Sequence, residues 1–165
     1  MNIRIPTVLP NMRTLYLILL VWGLCTSCST QPTAPLSAAA VPQGTLSGCG
    51  VPMQLDIMST PAMRSRGLME RQTLPDHYGM LFVFPALTTP SFWMHNTPTA
   101  LDIVWLSDDG TILAIESMTP NTDDLHTAPQ PVRYALEVAH GYFAQQSVQV
   151  GQQCTLTIPA DLVIE

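Results

Sequence analysis

The stretch FWMHNTPTALDIVWL, residues 92–106, gathers Trp93, His95, Asn96 and, inside an apolar run, Asp102. On extended strands neighbouring side chains point to opposite faces, so Trp93 shares a face with His95, and Asp102 shares one with Val104 and Leu106. An unpaired carboxylate among apolar neighbours costs several kcal/mol, so Asp102 needs a partner or the edge of its strand. The chain has no lysine, which makes Arg66, Arg71 and Arg133 the natural partners. A planar guanidinium suits a bidentate carboxylate contact. Two arrangements follow: a buried structural ion pair joining a short helix to a sheet, or a small polar pocket. In the pocket an arginine, Asp102, Asn96 and Trp93 would bind an exported metabolite or glycan fragment.

Other chemistries find less support. General acid–base hydrolysis can be written with Asp102 and His95 or His77, yet no Gly-x-Ser-x-Gly or other nucleophile motif accompanies them. Thioether and imidazole together suit a soft metal such as Cu(I). Met94 and His95, however, are adjacent and face apart on a strand, and Met69, Met80 and Met118 read as core filler. The expected function is a non-catalytic small-molecule-binding or interaction module. A hydrolase using Asp102 and His95, or Met/His metal binding, is the alternative; no metal site and no cofactor is expected.

The elements that position these residues begin beyond the N-terminus. Arg4 and Arg13 precede the ten-residue apolar run Leu15 to Leu24, about half of what a spanning helix needs, so residues 1–28 read as a secretory signal. Ser27 before Cys28 resembles a bacterial lipobox, imperfectly, because Cys25 stands where an aliphatic residue is usual. Acylation of Cys28 would anchor the protein to a membrane on the periplasmic side of the cell envelope. Ser29 after it points, by resemblance to enteric lipoproteins, to the outer membrane. Residues 29–48, rich in Ser, Thr, Pro and Ala, read as a flexible tether, and residues 49–165 as one domain. Beyond Cys28 four arginines face twelve acids, a formal charge of −8, which repels nucleic acid. The partners expected are a membrane through the lipid, and a small molecule or an envelope protein. In an oxidising compartment the two remaining cysteines, Cys49 and Cys154, suggest one disulfide.

Within the domain, alternation in GVPMQLDIMST predicts a strand, Thr60-Pro61 a helix start, and the run GMLFVFP a buried strand. Strands at residues 91–95 and 100–107 follow, the latter joined through the SDDG turn to TILAIESM. VRYALEV is a further strand, AHGYFAQQS a short helix, and QVGQQCTLTIP the closing strand.

The pieces RGLMER, GMLFVFP, FWMHNT, LDIVWL, the DDG turn, RYALEV with Gly141, and VGQQC occur in the order found in domain of unknown function family 192, which the chain resembles from about Val51 to Ile158. The resemblance implies a strand-rich α+β domain whose bent mixed sheet forms a partly closed barrel with two short helices. It brings no reaction. His95 stands where that family usually has Lys, and Asn121 where many members have Cys, which argues against chemistry through that cysteine.

Overall fold

The computed structural model describes residues 40–165. The expected signal, the Cys28 acylation site and most of the tether lie outside the described residues. Strand β1 (Gln43–Ser47) is followed by β2 (Met53–Met58), helix α1 (Pro61–Arg66), β3 (Tyr78–Thr88), β4 (Ser91–Phe92), β5 (Leu101–Leu106) and β6 (Ile112–Met118). Then come β7 (His126–Thr127), β8 (Val132–Ala139), helix α2 (Tyr142–Gln145) and β9 (Thr155–Thr157). The fold is α+β, as expected, with a mixed sheet of seven strands in the order β6-β5-β8-β3-β2-β1-β9 and a separate ribbon of β4 and β7. Strands β2 and β3 run parallel, with α1 in the crossover between them. The other neighbours in the large sheet are antiparallel.

The central strands are apolar on both faces, as befits a sheet covered on both sides. One face carries Leu55, Ile57, Leu81, Val83, Val104, Leu136 and Val138, packed under Phe143 of α2 and Leu156 of β9. The other carries Met80, Phe82, Ile103, Trp105 and Ala135, packed with Leu68, Met94, Phe92 and Met63 of α1. Two separate cores explain why the expected barrel does not form: a barrel has one interior, whereas this sheet is a layer between two. It stays open, and a lone bridge between Thr111 and Gln153 ties the start of β6 to the segment before β9. There Gly110 (φ +82°) approaches so closely that a Cβ would collide with the Cys154 carbonyl. Cys49 and Cys154 form the expected disulfide, their Cα atoms 4.7 Å apart.

Two further expectations need correction. Residues 43–47, assigned to the tether, form β1 because the segment is laddered on both sides, to β2 and to β9. The strand expected over 91–95 ends at Phe92. Beyond it the Met94 N–H donates to the Thr122 carbonyl (3.0 Å), and Thr97 closes a turn onto the Met94 carbonyl (3.0 Å).

Candidate functional site

Helix α1 is built for a short stay: Thr60 caps it by accepting the Met63 N–H, and Pro61 supplies its first residue. It ends at Gly67, whose φ of +48° with ψ of −136° is a conformation open essentially to glycine. A Cβ at this position would lie 3.5 Å from Phe82 Cζ and 3.8 Å from Glu137 Oε2. The helix terminus thus brings bare backbone over a carboxyl group.

Glu137 lies on β8, registered between Met80 of β3 and Ile103 of β5, on the same face as Ala135. Only 4% of the residue is exposed, and its Oε2 has no hydrogen-bond partner among the described residues. Burial pushes its pKa up to about 8, so near neutral pH it is held as a neutral acid able to donate a proton in a hydrogen bond. Above it opens a cavity of about 420 Å³ whose lining includes Arg66, Gly67, Phe82, Phe92, Trp93 and Glu137. Phe82 meets Phe92 edge to face at 4.7 Å between centroids, and Phe92 meets Trp105 at 5.5 Å, which stiffens the apolar wall. Trp93, 48% exposed, stacks on His95 at 5.1 Å at the rim.

Two arginines reach the cavity. Arg64 is occupied: it donates to the carbonyls of Ser59 (2.8 Å) and Val83 (3.0 Å), and its guanidinium lies 5.5 Å from the centroid of the Phe84 ring. Arg66 is exposed and forms no ion pair among the described residues.

The polar residues singled out from the sequence do not form one cluster. Arg66 and Trp93 border the Glu137 cavity, and His95 joins them through Trp93 while hydrogen-bonding Asp123 (2.8 Å). Asn96, at φ +51°, accepts the Glu70 N–H on its carbonyl (2.8 Å), tying the segment after α1 to the turn after β4. Asp102 is elsewhere and pairs with no arginine among the described residues. Its Oδ1 accepts from Ser117 Oγ (2.8 Å) and lies 2.8 Å from His140 Nδ1, while its Oδ2 accepts the Gly141 N–H (2.8 Å). A nearby hydroxyl, imidazole and backbone amide at the turn after β8 satisfy the carboxylate without a guanidinium. Arg71 instead contacts Asp56 (3.3 Å) and the Tyr78 hydroxyl (3.0 Å), and Arg133 approaches Asp108 at 3.9 Å. Asp102 and His95 therefore belong to separate networks, and the pair written for hydrolysis is not assembled.

The residue that sequence reasoning passed over is Glu137. Its signal was the one that drew attention to Asp102, an acid inside an apolar strand, and it lies within RYALEV, among the motifs that carry the family resemblance.

The model of family DUF192, described as an uncharacterized ACR, matches residues 44–156. A solved structure from Sinorhizobium meliloti 1021, described as a "putative transcription regulator", is 28% identical and covers 70% of this chain and 93% of its own, with a TM-score of 0.65. A protein of unknown function from Novosphingobium aromaticivorans DSM 12444 is 26% identical and covers 74% of this chain and 89% of its own, with a TM-score of 0.64. No curated protein matches the chain.

Proposed function

The chain belongs to the DUF192 family, whose description names no reaction, and from that premise we propose that the domain binds a small molecule, without transforming it, in the cavity above Glu137. One observation carries this reading: a buried carboxyl oxygen with no partner, at the floor of an aromatic-lined cavity. Buried polar groups are nearly always hydrogen-bonded, so an unsatisfied one facing a cavity marks where a ligand atom belongs. The regulatory description of the S. meliloti relative is not carried over, because the strongly acidic chain beyond Cys28 is poorly suited to nucleic acid.

The test is native mass spectrometry on protein recovered from a periplasm without added ligand. The wild type is expected to carry a stoichiometric adduct that Glu137→Leu and Phe92→Ala lose while keeping their circular dichroism. A bare wild-type mass would count against a retained ligand and turn the search to protein partners.

The same proposal makes this an envelope protein anchored through Cys28. Its support is the basic N-terminus, the short apolar run and Ser27-Cys28, and the Cys49–Cys154 disulfide suits an oxidising compartment. Cys28→Ser is expected to move the protein from the membrane to the soluble periplasmic fraction. Retention in the membrane with unchanged mass would refute acylation.

A further inference from the structure

The Glu137 cavity has two polar features of different kinds in its lining. At its floor the Glu137 carboxyl, flanked in register by Met80 and Ile103, leaves Oε2 without a partner among the described residues. At its mouth Arg66 is exposed and without an ion pair among the described residues, beside Arg64. Beyond Cys28 the chain has four arginines, no lysine and twelve acids, yet two of those arginines line this one cavity. Half of the positive charge beyond Cys28 thus borders one cavity. The same lining holds Phe82, Phe92 and Trp93, aromatic side chains suited to contact with a ring.

Resting on the small-molecule reading above, we propose that the cavity takes a cyclic carboxylate. Its ring lies against Phe82, Phe92 and Trp93, its carboxylate pairs with Arg66 at the mouth, and a hydrogen-bonding substituent across the ring meets the Glu137 carboxyl. A guanidinium fork matches a carboxylate in two parallel hydrogen bonds, which accounts for an arginine at the mouth. A cationic ligand would meet two arginines on entry. A neutral ring would satisfy the floor and leave Arg66 unused.

Three matched probes separate these cases: 4-hydroxybenzoate, 4-hydroxybenzyl alcohol and tyramine share a phenol ring and differ in charge. They are titrated into the exported, disulfide-bonded protein, with the Gly67 amide and the Trp93 indole N–H followed by nuclear magnetic resonance. The expected result is that 4-hydroxybenzoate binds about tenfold more tightly than the alcohol, and that Arg66→Gln removes the difference. Arg133→Gln, at an arginine that approaches Asp108 away from the cavity, is expected to leave it intact. If the alcohol or tyramine binds as tightly as the carboxylate, the anion preference is wrong and the binding cavity stands. If no probe moves either signal at millimolar concentration, both the preference and the cavity as a binding site are overturned.

Discussion

Burial holds Glu137 near a pKa of about 8 in the folded state against 4.5 as its ordinary value, and that difference has a measurable sign. Between those values the folded chain keeps a proton that the unfolded chain has released, so raising the pH favours unfolding. The contribution is whole below about 4.5 and is lost as pH rises through about 8. Within that window it declines by about 1.4 kcal/mol per pH unit. Urea titrations from acid to mildly alkaline pH are expected to show this decline in the wild type and a flatter profile in Glu137→Gln. Equal slopes in both proteins would mean that Glu137 ionises without penalty. Asp102 is the contrasting acid, fully served by Ser117, His140 and Gly141. Asp102→Asn is expected to cost about 1.5–3 kcal/mol in denaturation, the worth of a hydrogen bond to a charged group. A stability within error of the wild type would show those contacts to be idle. Both acids were visible in the sequence as charges inside apolar strands. Their roles were not, because a strand pattern says which face a carboxyl takes but not what waits there. His140 was indistinguishable from any surface histidine until the turn after β8 brought it to Asp102.

Among the elements, α1 and its glycine terminus form one wall of the cavity. Gly67→Ala imposes a side chain on a backbone conformation that costs about 1–3 kcal/mol for a residue with a Cβ, and the new methyl would sit within 4 Å of Phe82 and Glu137. Lower thermal stability together with loss of 4-hydroxybenzoate binding is the expected outcome, read by melting curves and by the Trp93 indole signal. A variant that melts like the wild type would show that the α1 terminus relaxes freely. The strands that the sequence displayed best were those with strict alternation or an Asp-Gly turn, namely β2, β5 and β6. Strand β1 was hidden because QGTLS offers only Leu46 as a large buried side chain and takes its order from partners on both sides. Residues 93–95 looked like a continuation of β4 by composition, but the Met94 N–H goes to the Thr122 carbonyl and the Thr97 N–H turns back onto Met94.

At the scale of the molecule, the Cys49–Cys154 disulfide spans 105 residues and so joins the two ends of the domain. In the chain-entropy account a link of that span stabilises by about 4–5 kcal/mol. Reduction, or the double change Cys49→Ser with Cys154→Ser, is expected to lower the urea midpoint accordingly. An unmoved midpoint would show that the packed ends hold without the bond. The disulfide followed from counting cysteines in a chain expected to be exported, whereas the open sheet did not follow from strand periodicity, which sets faces and leaves closure undecided. Openness also bears on how crowded copies behave. The exposed rim of a sheet is a template on which another chain can add a strand, the first step toward fibrous polymer. Here β9 offers three residues and is followed two positions later by Pro159, while β6 carries Glu116 and is bridged at its start to the segment beside Cys154. Each rim is too short, or too interrupted by charge and proline, to seed a long ladder, so concentrated protein should resist strand-to-strand polymerisation without having to close its sheet.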